Sequence, residues 1–507
     1  MRDLLLAYDF GTGGIKASLY EANGTCRADS FERYETLYPR QGCHEQRPQD
    51  WWLATVLSTQ NILKKDPSSR ERIAAIGISG HSLGVVALGS QGELLRETTP
   101  IWSDSRPSAQ QTEPFFQAIS EEAWYLKTGC GFPAQLYSIF KLMWFHDNEP
   151  EMFKKISTVI GTKDYINFRL TGVACTDNSY ASGSGVYDLA RRAYDPNLIS
   201  ASGISPELFP RIVPSTEILG TLTKMAAQEL GLDQAVKVVA GGVDNSCMAL
   251  GAGAFRNGRI YNSLGSSSWI AVSSDHPVLD TVGRPYVFDH VVPGQYVSAT
   301  AIFSAGTSHN WVREQLCRDL ILASGQDSNK LYRLMAEEAA SSPVGARNLI
   351  FNPSLAGGSS LDPTPKIRGS FTGLDLQHRR SDIIRATMEG VALGLRLALD
   401  KLAEHAVLGE EMVVVGGGAE CPLWRQIFAD IYKKKIVKLG IGQQAAALGA
   451  AALAAVGSGV WDSFDRLEDI QKVSSTETPV EENSKVYEAI LLRFKKVIEY
   501  HGELANI

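Results

Sequence analysis

"LLLAYDFGTGGIKASLY" (residues 4–20) joins an apolar run to a polar, glycine-rich turn and then returns to apolar residues. Leu4–Tyr8 reads as a buried strand and Ala17–Tyr20 as a second, so the segment is a hairpin with an elaborate tip. That tip carries Asp9, Gly11, Thr12, Gly13 and Lys16. Glycines there let the backbone turn and approach a ligand closely. A carboxylate, a hydroxyl and an ammonium beside them suit a magnesium-bound phosphate. The same letters also fit a plain surface loop, because short glycine patterns recur by chance.

The rest of the chain favours the ligand. Glycine-bearing turns follow apolar runs at Asp9–Gly14, Gly241–Asp244, Leu264–Ser268 and Gly416–Ala419. In α/β sheets ligands gather at the carboxyl ends of strands. "IAAIGISG" reads as a further strand, "GVVALGSQGELL" as a hairpin about Gln91-Gly92, and Glu121–Asn148 as mostly helical. Strands mixed with helices make α/β the fold class. An internal echo adds organisation: "RIYNSLGSSSWIAVSSD" repeats the plan strand, small-residue turn, strand about half a chain after the first hairpin. Two such turns supply backbone N–H groups for a polyphosphate.

Bulk properties bound the class. The chain has 507 residues, 44% hydrophobic and 21% charged, with a net charge of −7. That length predicts two or three domains, and the charge argues against a general nucleic-acid footprint. Seven cysteines without a Cys-x-x-Cys pair indicate neither a disulfide framework nor a zinc ribbon. No run approaches the roughly 18 apolar residues of a membrane span, and the N-terminal apolar run is too short for a signal peptide. A cytoplasmic setting is the expectation.

Asp244, in "AGGVDNS", is the acid that stands out. At the end of a buried strand it can accept a proton from a substrate hydroxyl; capping the helix that follows is the alternative. His81 in "SGHSLG" lies at a strand end where it could contact a hydroxyl, although a lone histidine is more often structural. "PIWSDSR" sets Trp102 beside Asp104 and Arg106, a pattern that suits a polyhydroxylated ligand or an ordinary ion pair next to a half-buried indole. "GGGAECPLWRQIFADIY" fits a strand-to-helix junction admitting a ribose or flat ring, but neither a Rossmann G-x-G-x-x-G nor a Walker A motif is present.

Taken in order, these segments resemble the FGGY carbohydrate kinases, most closely the xylulokinase-like branch. "YDFGTGGIK" is similar to the family's first phosphate turn, "SIFKLMWFHDN" to its Lys-x-x-Trp signature at Lys141 and Trp144, and "SLGSSSW" to its second phosphate turn. "GGVDNSCMALGAG" resembles the segment holding the catalytic base. "GSFTGLDLQHRRSDIIRATMEG" fits the C-terminal signature, and "QQAAALGAAALAAVGSG" the closing helix. The resemblance implies two actin-like (ribonuclease H-like) domains with the active-site cleft between them, divided here as 1–246 and 247–507. It implies ATP and Mg2+, with Asp9 at the metal and Gly11, Thr12, Gly13, Lys16, Gly265 and Ser266 at the phosphates. Gly416, Gly417, Gly418 and Ala419 would line the adenosine site. Asp244 is implied as the base and Asn245 as its substrate-contacting neighbour; His81, Trp102 and Asp104 are the candidates for the sugar from their own residue patterns.

Two departures bear on the substrate. His81-Ser82-Leu83 stands where xylulokinases usually carry Gln-Met-His, and Gly358-Ser359 in "LAGGSSLDP" where many relatives have a charged pair. The expected activity is transfer of the γ-phosphate of ATP to a primary hydroxyl of a ketopentose such as xylulose. Ribulose, an erythritol-like polyol, glycerol or a quorum-signal diol are alternatives within the class, and an actin-like ATPase one outside it. The partner is a small sugar or polyol, with no nucleic acid or membrane; a homodimer is left open.

Overall fold

The computed structural model describes residues 2–325, 327–441 and 444–507, so Gln443 of the closing-helix motif lies outside it. The chain forms two compact units. Unit 1 comprises Met1–Arg256, Ser273–Val297 and Gln444–Gln471; unit 2 comprises Asn257–Val272, Ser298–Gln443 and Lys472–Ile507. A boundary at 246/247 would cut a helix, Asp244–Gly251. Unit 1 also takes a segment from the far end of the chain, so the units are not sequential halves.

In unit 1, β1 (Leu4–Gly11) and β2 (Gly14–Glu21) form the expected hairpin, followed by β3 (Cys26–Arg33). Helix α1 (Pro48–Lys65) begins with Pro48, carries Asp50 in its first turn and ends in Lys64 and Lys65, each favourable at its end of the helix dipole. Next come β4 (Ile73–Gly80), β5 (Ile218–Thr221), β6 (Lys237–Val239), the short β7 (Gly242–Val243) and α2 (Asp244–Gly251). The sheet runs β5-β6-β4-β1-β2-β3, with β7 also pairing β4. Every residue of β4 is buried, as its near-continuous apolar run requires of a parallel strand covered on both faces. The hairpin expected about Gln91-Gly92 is reduced to a single bridge, Leu88↔Leu94. Val86–Leu88 pairs instead with Thr158–Ile160, which matches its fully apolar side chains to a buried partner.

One face of β1 and β4 is covered by the alanine-rich helix Ala445–Ser458, which also packs along α2. Small residues are needed because the backbones touch. A Cβ on Gly449 would sit 1.9 Å from the carbonyl oxygen of Cys247, one on Gly251 1.8 Å from that of Ala445, and one on Gly77 2.0 Å from that of Ala450. This explains both "CMALGAG" and "AAALGAAALAAVG".

Unit 2 repeats the plan. β8 (Ile260–Leu264) pairs antiparallel with β9 (Ser268–Ser274) and parallel with β10 (Glu411–Val415), just as β1 pairs antiparallel with β2 and parallel with β4. The internal echo is therefore a shared topology. Beyond β10 lie β11 (Lys435–Leu439), parallel to it, and β12 (Val473–Glu477), antiparallel to β11. Helix α3 (Arg380–Ala403) opens inside the C-terminal signature. There Arg385 and Glu389 form a buried ion pair at 2.7 Å, joined by the Tyr487 hydroxyl and the Gly345 N–H. A Cβ on Gly390 would lie 2.2 Å from the carbonyl of Phe351. The signature in this chain is an anchor for packing. Among the described residues no helix is long and apolar enough to cross a membrane.

Gly449 gives a test with opposing terms. Alanine in a helix interior gains roughly 1 kcal/mol in propensity over glycine. Overpacking costs about 1–3 kcal/mol, and here it falls on backbone, which cannot swing away. Gly449→Ala should therefore lower the urea midpoint of unfolding; a raised midpoint contradicts the close packing.

Candidate active site

Four strand positions meet at one end of the unit 1 sheet. Asp9 on β1 is paired in register with Lys16 on β2 and Ser79 on β4, and Ser79 with Gly242 on β7. The Ser79 hydroxyl donates to Asp9 Oδ1 at 2.8 Å. Gly241 takes φ +71°, and a Cβ there would lie 2.2 Å from the carbonyl of Ile78. Its left-handed turn interrupts the strand, so β7 resumes beside the end of β4 and hands Asp244 to the start of α2. The helix cap is Val243, and Asp244 is the first helical residue. Capping therefore does not account for this carboxylate.

Asp244 Oδ1 accepts the backbone N–H of Asn245 at 2.8 Å. Among the described residues no cationic side chain pairs with it. Burial, and then the charge of Asp9, push its carboxyl up to about 7. Asp9 is also held above the ordinary carboxylate range, by burial, against the pull of the Ser79 hydroxyl and the Lys16 ammonium. A buried carboxylate whose charge disfavours that of a second one makes a set that a cation would relieve.

The hairpin tip is exposed but fixed from below. The Gly11 carbonyl accepts the Tyr34 hydroxyl at 2.5 Å, and the Thr12 carbonyl accepts the amide of buried Gln46 at 2.7 Å. Gln46 in turn accepts the Trp51 indole N–H at 2.9 Å. The Thr12 hydroxyl accepts the indole N–H of Trp102, 40% exposed, at 2.9 Å. Gly13 has nothing within 4 Å of a would-be Cβ and Gly11 only the carbonyl of Gly14 at 3.6 Å, so both leave room for a ligand. Gly14 is the structural glycine of the turn, since a Cβ there would be 2.5 Å from the carbonyl of Glu32.

Lys141 of the Lys-x-x-Trp segment is wholly buried and donates to the carbonyls of Leu83 (2.9 Å) and Ile101 (2.8 Å). It ties the loop after β4 to the segment carrying Trp102. Burial foremost, opposed by Asp104 and reinforced by Arg106, brings its ammonium down to about 7. The Arg106 guanidinium lies 5.0 Å from the Trp144 ring centre and forks onto Asp104. Asp104 is fully buried, and its oxygens also accept the N–H of His44 at 2.7 Å and of Arg106 at 3.2 Å. Its surroundings are those of an internal ion pair that holds Trp102 in place.

His81 is buried, edge-on to Trp51, with Nδ1 3.2 Å from the Thr162 hydroxyl. Among the described residues Nε2 has no hydrogen-bond partner. Burial and then Lys141 push the ring down to about 4, so the imidazole is neutral. Asn245 follows Asp244 at the head of α2, its side-chain oxygen 3.3 Å from the Ser246 hydroxyl.

In unit 2 the tip Gly265–Ser266 is exposed between β8 and β9. Its carbonyls accept the N–H groups of Gly306 (3.0 Å), Ala305 (2.9 Å) and Thr307 (3.1 Å) at the start of helix Gly306–Leu316. Gly416 takes φ +94°, with a would-be Cβ 2.5 Å from the carbonyl of Leu264, and Gly418 packs against the Leu264 side chain. Gly417–Glu420 form a single 3₁₀ turn in which Ala419 is buried and its carbonyl accepts Arg425 at 2.6 Å. Gly358-Ser359 forms a turn closed on half-buried Asp362, which accepts the Ser359 N–H at 2.7 Å.

Sequence reasoning missed Ser79, Gln46 and a buried group around Asp177. Only Asp177 gave a local signal, Asp-x-Ser before a short helix, which reads as an N-cap and is one.

The N-terminal domain of the FGGY family of carbohydrate kinases matches residues 4–251 and its C-terminal domain residues 260–458. The chain belongs to that family, with its two-domain actin-like fold, and is a phosphotransferase acting on carbohydrate. The xylulose kinase of Bacillus subtilis is 29% identical over 99% of this chain and 97% of its own. A gluconokinase of the same organism is 28% identical over 97% of this chain and 94% of its own. The solved xylulose kinase from Lactobacillus acidophilus superposes with a TM-score of 0.89 at 25% identity, covering 98% of each chain. The gluconate kinase from that organism gives 0.88 at 25%, also covering 98% of each.

The coupling of the two carboxylates can be measured directly. Carboxyl-carbon NMR should show Asp244 titrating near 7, and Asp9→Asn should lower that value by removing a like charge. Because the folded chain holds this proton more tightly than the unfolded chain, the resulting stability is present below the ordinary 3.8 and lost as pH rises through about 7. An ordinary titration near 4, unchanged by Asp9→Asn, contradicts the arrangement.

Proposed function

We propose that this chain transfers the γ-phosphate of ATP to a primary hydroxyl of a neutral ketopentose such as xylulose, with Asp244 as general base. The observation that carries this is Asp244 itself: at a strand end, accepting one peptide N–H, with no cationic side chain paired to it among the described residues and its carboxyl pushed up to about 7 by burial. A base with that affinity for a proton is matched to work at physiological pH.

The other residues divide the remaining work. Trp102 offers an apolar face for sugar C–H groups while its N–H holds Thr12, and Asn245 presents an amide beside the base. Thr12, Lys16 and the open faces of Gly11 and Gly13 serve the phosphates, as Gly265 and Ser266 do in unit 2. Gly416–Ala419 serve the adenosine. Phosphoryl transfer needs chiefly positioning and charge neutralisation. Among the described residues no cluster of three or more His, Cys, Asp or Glu side chains could hold a metal alone. Asp9 is nonetheless an oxygen donor suited to a magnesium ion that shares its coordination with phosphates. That ion would neutralise charge on the transferring group.

A neutral acceptor is favoured over gluconate by the state of the nearby cations. Arg106, Lys141 and Lys163 are buried and committed to carboxylates or carbonyls, leaving none of the three for a substrate carboxylate. His81-Ser82-Leu83 keeps other ketoses and polyols in play, since one altered polar contact changes discrimination by orders of magnitude.

An ATP-consumption panel with xylulose, ribulose, erythritol, glycerol and gluconate tests the acceptor. A neutral ketose should give the highest kcat/KM, and gluconate in first place overturns that choice. Asp244→Asn should lower kcat by about 10²–10⁴-fold while ATP affinity by calorimetry stays near wild type. Near-normal turnover would mean that the base is misassigned.

A further inference from the structure

We infer that Ser179 and Asp177 are positioning residues for the base, acting through the backbone N–H of Val243. This rests on the assignment of Asp244 above. Lys163, Asp164 and Asp177 are wholly buried, and Lys163 pairs with both carboxylates, at 2.9 Å to Asp177. Asp177 Oδ1 takes Lys163 and the N–H of Tyr180 (3.3 Å). Its Oδ2 takes the N–H of Ser179 (2.9 Å), the Ser179 hydroxyl (2.5 Å) and the Ser215 hydroxyl (2.8 Å).

An ionised carboxylate only accepts, so the Ser179 hydroxyl must spend its proton on Asp177. Its lone pair is then directed elsewhere, and it accepts the Val243 N–H at 2.9 Å. A hydroxyl polarised by a carboxylate is a stronger acceptor than a neutral one. Val243 is the residue from which Asp244 enters α2.

The same group grips the turn from its other side. The Ala240 carbonyl accepts Lys163 Nζ at 3.2 Å and the Asn167 amide at 2.7 Å. Gly242 has no space for a side chain there: a Cβ would lie 2.2 Å from Val291 Cγ1 and 3.1 Å from the Ser179 hydroxyl. Between Ala240 and Asp244 the chain turns through Gly241, the most permissive residue type. Without the Val243 anchor the placement of Asp244 rests on a two-residue strand.

Ser215 supplies an internal control. Its hydroxyl donates to the same Asp177 oxygen, but only its backbone carbonyl touches the turn, at the Gly241 N–H, and Ser215→Ala keeps that contact. We expect Ser179→Ala to lower kcat about 10–100-fold, the scale of a slightly misplaced catalytic group, with KM for ATP unchanged. Ser215→Ala should change kcat less than about threefold. In an Asp244→Asn background, Ser179→Ala should cost nothing further, since the two act as a unit.

Equal losses in the two serine variants, or an undiminished effect of Ser179→Ala without the base, overturn the inference and leave the proposed function standing. Near-normal turnover of Asp244→Asn alone overturns both. Matching thermal melts of the variants would exclude unfolding as the source of any loss.

Discussion

The register of four strands carries the chemistry of unit 1. Because β1 pairs antiparallel with β2 and parallel with β4, and β7 rejoins β4 at its last residues, Asp9, Lys16, Ser79 and Gly242 stand in one row. A slip of one residue would turn each of these side chains to the other face of the sheet. The buried, near-continuous apolar strands fix that register, and the glycine at 241 converts the end of the row into a helix start carrying Asp244. Asp9 is thereby brought close enough to raise the proton affinity of Asp244. Neither strand could achieve that alone.

Much of what looks like functional sequence is taken up in packing and internal pairs. Lys141 and Trp144 make internal contacts: the ammonium joins two loop carbonyls and the half-buried indole lies under guanidinium groups. Asp104 is spent on Arg106. Glu389 and Gly390, far along the chain, lock a helix of unit 2. The glycines divide in the same way. Gly14, Gly77, Gly241, Gly251, Gly390, Gly416 and Gly449 are needed because backbone lies where a Cβ would be, whereas Gly11 and Gly13 border open space. That pair, like Gly265 in unit 2, has the geometry expected where a phosphate comes close to the chain.

The hairpin tips, the strand end at Asp244 and the run Gly416–Ala419 were legible in the sequence because each is a local pattern of apolar run, glycine and polar residue. The shared topology of the two units was legible for the same reason. Ser79 and Ser179 were not, because nothing near either residue announces a partner 70 residues away at Asp9 or 64 away at Val243. His81 was visible as a histidine at a strand end, but its enclosure by Trp51 and Thr162 comes from distant elements. The extent of unit 1 was hidden by the helix Ala445–Ser458, whose alanines and glycines name no partner until the backbones of α2 and β4 are seen against it.

The central claim is that a carboxylate poised near neutrality takes the acceptor's proton, and the pH dependence of kcat/KM for the sugar tests it most directly. From about pH 5.5 to about pH 8.5 the value should climb as Asp244 ionises and then level off. A profile that is flat across that range, or that falls as pH rises, would contradict the account.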